Sequence, residues 1–315
     1  MIALVREAGG LGDIISCTAA ARQVKVEHPD RQVLLLVPKN FVGLAKMFEG
    51  PDDVLALPSV GDLLPMRRGR DAPITEDLPY LTMLQSTPMI GARVVSLFCP
   101  AYLYESSCEG PLEYNRPQLF AMAAGCKYID DVRPVYKNLS AIKQNHHDNP
   151  TYVVAGRATC PARCMPAGLR DDLLLWLVKT GGTVHYFDSI RPASRICGVN
   201  YSINESFERV AEIVANSRCV VTVDSFMLHF AAALDVPTIG VFGPTDGAAA
   251  VQTYPKTCAV EHVLGCELPC NYNTTKGWSK AVCRPQGCTR MKQHDAGKLA
   301  EAAELIAGTI KEYQL

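Results

Sequence analysis

Three glycines and an aspartate follow the first apolar run of the chain, in the order Gly9-Gly10-Leu11-Gly12-Asp13. Glycine-rich turns before a helix often bind phosphate, because the first N–H groups of a helix have no partner within it. Asp13, however, places a negative charge where the phosphate would lie. The spacing lacks the complete G-x-G-x-x-G motif of dinucleotide-binding proteins, which disfavours an NAD-dependent oxidoreductase. Asp13 is therefore either a helix cap or a general base.

A second polar group follows an apolar run in the other half of the chain, where Val221-Thr222-Val223 leads into Asp224-Ser225. A hydroxyl residue at this point is typical of a helix start, where unpaired amides can bind an anion. His229 lies four residues after Ser225 and so shares its helix face. The pattern indicates an anion site, although His229 taken alone is better explained as a core histidine with its hydrogen bonds satisfied.

Four cysteines form two close pairs, Cys266-x₃-Cys270 and Cys283-x₄-Cys288, separated by a polar loop. Two cysteine pairs across a loop resemble a structural zinc site. The spacings are wider than C-x₂-C, so unligated thiols or a disulfide are the alternative. The pair Cys160 and Cys164 is interpreted as incidental.

Bulk composition limits the class of protein. The chain has 315 residues, a formal charge of −1 and 13 cysteines. That charge gives no electrostatic reason to bind bulk nucleic acid. An odd number of cysteines cannot all pair within one chain, and several lie in apolar contexts, which fits a reducing compartment better than secretion. Arg6 and Glu7 interrupt the opening apolar run too early for a signal peptide. We expect a cytoplasmic monomer without a transmembrane segment.

The elements that would position these residues alternate between strand and helix. The apolar runs predict strands at residues 2–5, 33–37, 54–57, 152–155, 183–187, 219–223 and 238–242. Helical spacing predicts helices at residues 14–27, 40–48, 116–125, 169–180, 207–215, 226–234 and 296–313. Residues 61–117 are expected to form long loops, and the polar stretch 143–150 is the best domain boundary. The pattern predicts an α/β fold with two Rossmann-like domains facing a cleft at the carboxyl ends of their strands.

Three motifs together resemble glycosyltransferase family 9, the heptosyltransferases of lipopolysaccharide assembly and their relatives. They are Gly12-Asp13…Thr18, Asp224-Ser225…His229…Ala232-Ala233-Leu234…Pro237-Thr238, and Phe242-Gly243-Pro244-Thr245-Asp246. Their order and separations fit essentially the whole chain. The resemblance implies the GT-B architecture, with an acceptor-side domain at residues 1–148 and a nucleotide-sugar-binding domain at residues 149–315. It also implies that the last helix packs back on the first domain.

The resemblance further implies an inverting transfer of a hexose or heptose from a nucleotide-diphosphate sugar to an acceptor hydroxyl, with no cofactor or metal for catalysis. Asp13 would then act as general base, an assignment that outweighs its role as a cap. The implied substrate- or donor-binding residues are Gly10, Gly12, Arg157, Thr159, Arg163, Asp224, Ser225, Phe226, His229 and Thr245.

The donor loop departs from the family pattern T-x-x-x-K-x-W-P. Thr159 matches, Arg163 replaces the lysine and Met165 replaces the tryptophan. Phe226 stands where the family usually has glycine after Asp-Ser or Asp-Thr, so its side chain must point away from the phosphate. Arginine still supplies a bidentate cation for a diphosphate, but solvated loop charges remain an alternative for Arg157 and Arg163. These departures leave the identity of the sugar open.

The acceptor implied by the resemblance is a glycan or a lipid-linked glycan. A hydroxylated base in DNA is a rival acceptor, favoured by Arg67-Arg68-Gly69-Arg70 and disfavoured by the near-neutral charge. A small metabolite is another. A nucleotide-binding protein without catalytic activity is the non-enzymatic alternative, supported by Phe226 and opposed by the intact Asp13.

Overall fold

The computed structural model describes residues 1–7, 9–57, 93–97, 104, 112–143, 150–190, 192, 195–261, 288 and 290–312. The chain divides into two compact units. Unit 1 comprises Met1–Tyr104 and Arg116–Pro134, and unit 2 comprises Glu105–Asn115 and Val135–Leu315. None of the described helices is long and apolar enough to cross a bilayer.

Unit 1 is built on a parallel sheet. Its described strands are β1 (Ile2–Val5), β2 (Val33–Val37), β3 (Asp53–Ala56) and β4 (Arg93–Ser96), in the order β3-β2-β1-β4. Its described helices are α1 (Leu11–Glu27), α2 (Val42–Lys46), which follows the 3₁₀ turn Lys39–Phe41, and α3 (Arg116–Ala124). Strands β1 and β2 are buried along their whole length, as expected for central parallel strands. Helix α1 packs against α3.

Unit 2 contains a larger parallel sheet. Its described strands are β5 (Thr151–Ala155), β6 (Thr183–Asp188), β7 (Val199–Ile203), β8 (Cys219–Val223), β9 (Thr238–Phe242) and β10 (Thr257–Glu261). They lie in the order β10-β9-β8-β5-β6-β7. Strands β6 and β7 are added on one side of β5, and the chain then crosses to add β8, β9 and β10 on the other side. This is the Rossmann order, in which ligands bind beyond the carboxyl ends of the strands at this crossing point.

The described helices of unit 2 are α4 (Leu139–Ile142), α5 (Ala167–Lys179), α6 (Phe207–Ala215), α7 (Phe226–Ala233), α8 (Gly247–Val251) and α9 (Ala296–Glu312). The 3₁₀ turns Pro161–Arg163 and Met291–Gln293 precede α5 and α9. Side chains of α9, among them Leu299, Ala300 and Ala303, lie in the core of unit 2 with residues of β5 and β8. Side chains beyond Ile306 lie outside the described residues. That the end of this helix packs back on the first domain therefore stays a prediction.

A short segment from the first half of the chain is bonded to unit 2. The Leu112 N–H donates to Oδ2 of Asp246 at 3.2 Å. The side chain of Asn115 donates to the Thr253 hydroxyl at 2.9 Å, and the side chain of Gln252 donates to the carbonyl of Glu113 at 2.9 Å. We call residues 112–115 the strap.

Candidate functional site

Asp13 lies in the first turn of α1, which begins at Leu11, three residues earlier than the sequence predicts. Its Oδ2 atom accepts a hydrogen bond from the Gly10 N–H at 2.8 Å. Gly9 has a φ of +135°, and a Cβ atom there would lie 2.7 Å from the same Oδ2. The glycine turn therefore lets the backbone approach the carboxylate closely, and Asp13 caps the helix from inside its first turn.

Two arginines hold the other oxygen of Asp13. Nη2 of Arg6 lies 3.3 Å from Oδ1, and Nη1 of Arg116 hydrogen-bonds to it. The Arg6 side chain is 6% exposed, whereas that of Arg116 is 31% exposed. Arg6 also donates to the Leu97 carbonyl at 3.1 Å and lies over the Phe120 ring. Two guanidinium groups at these distances stabilise a charged carboxylate electrostatically, and the carboxylate is the form that a general base needs.

Several charged groups near the thiol of Cys17 show that Asp13 belongs to a larger cluster. Burial raises the pKa of the Cys17 thiol well above the ordinary value; the charges of Asp13 and Glu7 raise it further, while those of Arg6 and Arg116 lower it. Glu7 is thus a second carboxylate near the same position. Arg6 and Glu7 were not predicted as site residues, although they directly follow β1, and Arg116 carries no local signal in the sequence.

Arg163 and Asp224 meet in unit 2 beyond the ends of β5 and β8. Nη1 of Arg163 lies 3.1 Å from Oδ2 of Asp224, whose side chain is 15% exposed. Burial raises the pKa of Asp224, but the Arg163 guanidinium more than offsets it, and His229 and Thr245 lower the pKa further. Asp224 is therefore an ionised partner that orients Arg163. The Thr245 hydroxyl is buried near this carboxylate without the geometry of a regular hydrogen bond.

Helix α7 starts here without a side-chain cap. Ser225 occupies the capping position, but its hydroxyl makes no capping hydrogen bond and lies 3.3 Å from the hydroxyl of Thr222. The Leu228 N–H donates to the Ser225 carbonyl at 3.2 Å. The amides of Phe226 and Met227, which come before it, have no acceptor within the helix, and the capping side chain supplies none. Together with Arg163, this helix start can bind an anion.

Phe226 and His229 project from this helix into aromatic contacts. The Phe226 ring packs edge to face against Phe207 and Phe230, with centroids 6.4 and 6.1 Å away. This packing fixes the side chain of Phe226, which stands where the family usually has glycine. Nδ1 of His229 lies 2.7 Å from the hydroxyl of Tyr254, a partner that the sequence analysis missed because it is 25 residues away.

The remaining residues of the donor loop lie apart from this group. Arg157 is exposed and its Nε lies 3.7 Å from Asp188 at the end of β6, and Thr159 is exposed. The Cys164 sulfur hydrogen-bonds to both the N–H and the carbonyl of Ala158 at 3.3 Å. Met165, at the place of the family tryptophan, is buried in the core. Arg163 is thus the arginine of this loop that the structure joins to Asp224.

The cysteine prediction falls largely outside the described residues, which exclude Cys266, Cys270 and Cys283. Cys288 is buried beside Met291, and a Cβ atom on Gly243 would lie 3.1 Å from its sulfur. Among the described residues, no group of three or more His, Cys, Asp or Glu side chains is placed to bind a metal. Zinc binding stays a prediction.

Comparisons with known proteins agree with the motifs. Residues 194–277 match the family model described as glycosyltransferase family 9 (heptosyltransferase). A segment of 94 residues is 33% identical to lipopolysaccharide heptosyltransferase 1 of Pseudomonas aeruginosa; it covers 30% of this chain and 22% of that protein. The chain thus matches about a fifth of the length of this relative.

Solved structures match over nearly the whole chain. ADP-heptose lipopolysaccharide heptosyltransferase II of E. coli has a TM-score of 0.66 at 14% identity, covering 99% of this chain and 100% of its own. E. coli heptosyltransferase WaaC with ADP has a TM-score of 0.62 at 15% identity, covering 97% and 100%. The iron-containing dodecameric glycosyltransferase TibC of enterotoxigenic E. coli has a TM-score of 0.63 at 12% identity, covering 100% and 77%. The resemblance to family 9 is confirmed, and the fold is the α/β GT-B fold.

Proposed function

We propose that the protein is an inverting glycosyltransferase that moves a sugar from a nucleotide-diphosphate sugar to an acceptor hydroxyl. The observation that carries the proposal is the carboxylate of Asp13, which is buried and paired with the guanidinium groups of Arg6 and Arg116. The acceptor hydroxyl gives its proton to the carboxylate of Asp13 while the hydroxyl oxygen forms a bond to the anomeric carbon of the donor sugar. The bond from that carbon to the diphosphate oxygen breaks, and the nucleoside diphosphate leaves with its electron pair.

The donor site is assigned to unit 2. Arg163, the uncapped start of α7 after Ser225, His229 and Thr245 would hold the diphosphate, and Asp224 would orient Arg163. A guanidinium and a helix start stabilise the charge that develops on the leaving group. Structural neighbours contain ADP or ADP-2-deoxy-2-fluoro heptose, so ADP-heptose is the first donor to test. Arg157 and Thr159 are secondary candidates because both are exposed.

The acceptor side is assigned to residues 1–148, where Gly10 and Gly12 shape the turn around Asp13, and nucleotide-sugar binding to residues 149–315. We favour a glycan or lipid-linked glycan acceptor, as in the heptosyltransferases that the chain resembles. The segment Arg67-Arg68-Gly69-Arg70, which favoured a DNA acceptor, lies outside the described residues. Cytoplasmic location and a monomeric state remain predictions of the sequence.

A thermal-shift panel tests the class of ligand. ADP-heptose and ADP are expected to raise the melting temperature, because a ligand that binds only the folded state stabilises it by about 2.7 kcal/mol at a concentration of 100 Kd. NAD serves as the control, since the sugar-nucleotide site proposed here does not predict NAD binding. A shift with NAD and none with sugar nucleotides would instead support an oxidoreductase.

Chelation tests the proposed independence from metals. Brief treatment with EDTA is expected to leave sugar transfer unchanged, because Arg163 and the start of α7 supply the positive charge at the diphosphate. Elemental analysis should give about one zinc per chain if Cys266, Cys270, Cys283 and Cys288 bind it, and iron is measured in the same run because TibC is iron-containing. Activity that is lost with EDTA and restored by Mg²⁺, Mn²⁺ or Fe²⁺ would contradict the mechanism. Absence of zinc would remove only the structural site.

A further inference from the structure

Tyr254 is a buried tyrosine whose hydroxyl reaches the site in unit 2. Its ring packs with Leu228, Phe242 and Val251, and its Oη atom lies 2.7 Å from Nδ1 of His229. The two rings meet edge to face, with centroids 5.8 Å apart and planes at 86°. One nitrogen of the imidazole is thus held by a hydroxyl that sits in a packed apolar cluster.

His229 stands close to the start of α7. Side chains on a helix lean toward its N-terminus, so a residue four positions after Ser225 reaches back over the first turn. His229 also acts electrostatically on Asp224, which directly precedes Ser225. The imidazole is therefore near the amides to which we assign the donor diphosphate.

The hydrogen bond to Nδ1 decides what the other nitrogen can do. A neutral imidazole carries one proton, and which nitrogen holds it is set by the partner of the other. The oxygens of an ionised diphosphate accept hydrogen bonds, so they need a proton on Nε2. A hydroxyl that donates to Nδ1 selects that tautomer.

We propose that Tyr254 is a positioning residue for donor binding. Its hydroxyl donates to Nδ1 of His229 and keeps the ring proton on Nε2, from which the imidazole donates to a diphosphate oxygen. The inference rests on the donor site proposed above. Among the described residues, the titratable groups near His229 include the Tyr254 hydroxyl and the carboxylate of Asp224, to which the Arg163 guanidinium is bound. A protonated imidazole also carries a proton on Nε2, so the contact persists in both charge states.

The variant Tyr254→Phe removes one oxygen and keeps the ring in its cluster. ADP is the probe, and its affinity is measured by calorimetry beside that of adenosine. We expect ADP to bind about two- to tenfold more weakly, the range for one hydrogen bond, with no change for adenosine. Tyr201→Phe is the matched control, because its hydroxyl accepts from the Ile196 N–H at 2.8 Å elsewhere in unit 2. This control is expected to bind ADP like the wild type.

The ring nitrogens of ¹⁵N-histidine-labelled protein supply a spectroscopic readout, with His229 assigned through the variant His229→Gln. At a pH where the ring is neutral, the wild type should show the proton on Nε2, and Tyr254→Phe should show a mixture of tautomers. Equal ADP affinity, or a proton on Nδ1 in the wild type, would overturn the inference while leaving the donor site standing. Weaker binding with an unchanged tautomer would also overturn it, because the role would then be structural. A wild type that binds no ADP would remove the donor site and this inference together.

Discussion

Asp13→Asn is expected to lower the rate of sugar transfer by about 10²–10⁴-fold, the usual contribution of a general base. The affinity for ADP should stay unchanged, because the assigned diphosphate ligands all lie in unit 2. The measurement is turnover of ADP-heptose with an acceptor, beside calorimetric titration of ADP into the same preparation. Near-normal turnover would contradict the proposal and leave Asp13 with the capping role that its hydrogen bond to Gly10 already shows.

This variant also changes stability, which has to be separated from catalysis. Removing the charge of Asp13 breaks its pair with the buried guanidinium of Arg6, and breaking a buried ion pair costs about 3–5 kcal/mol. The charge of Glu7 in the same cluster reduces that cost. Solvent around the partly exposed side chain of Arg116 lowers the cost further. Asp52→Asn is the control within unit 1, since Asp52 accepts from the Val33 N–H at 2.7 Å and from Lys25 at 3.1 Å. It should lower the urea midpoint while turnover remains normal.

Arg163→Ala is expected to weaken ADP binding about ten- to a hundredfold, because a charge-assisted contact contributes about 1.5–3 kcal/mol. Adenosine, which has no phosphate, should bind with little change. Titration calorimetry with both ligands gives the comparison directly. Equal losses for ADP and adenosine would place Arg163 outside the diphosphate site.

Two further arginine variants make this result specific. Arg157→Ala alters the same loop, but Arg157 lies near Asp188, so a much smaller loss of ADP affinity is expected. Arg209→Ala removes an exposed arginine of α6 that pairs with Glu212 at 2.9 Å, and it should have no effect on ADP. If Arg157→Ala lowered ADP affinity as much as Arg163→Ala does, the diphosphate site would extend along the loop to Arg157.

The pair of Arg163 and Asp224 also gives a dependence of stability on pH. Although burial raises the pKa of Asp224, the Arg163 guanidinium keeps it below its ordinary value. A depressed pKa means that the folded state binds this proton less readily than the unfolded state. The stability contributed by the pair is therefore complete above the ordinary pKa and is lost as the pH falls through the lowered one. The difference in stability between wild type and Arg163→Ala should accordingly shrink only in acid.

Sequence patterns predicted the central strands of both sheets and the edge strand β3, displaced by one residue, but missed the other described edge strands. The apolar runs at β2, β8 and β9 match the observed strands residue for residue, because central parallel strands are buried on both faces. Strands β4, β7 and β10 were not predicted. Each lies at the edge of its sheet and is only partly buried, so none needs a continuous apolar run.

In the site, too, residues placed by local spacing were predicted, and partners from distant parts of the sequence were not. Local spacing placed Asp13 and Ser225 at helix starts, and the structure has them there. Their partners come from elsewhere in the chain: Arg116 is 103 residues from Asp13, and Arg163 is 61 residues from Asp224. An arginine or a tyrosine carries no periodic signal of the residue it will contact. The charge state of a predicted base therefore follows only from the folded structure.

The strap has a consequence for protein synthesis. Leu112 bonds to Asp246, which is added to the chain 134 residues later. At about 5–20 residues per second, the ribosome needs roughly 7–27 s to make that stretch. During this time the strap has left the ribosome without the carboxylate that will accept its hydrogen bond, although Arg116, the next residue after the strap, already belongs to unit 1. Unit 2 thus includes a segment that is made before any of its described strands, and the docking of that segment has to wait for translation to reach α8.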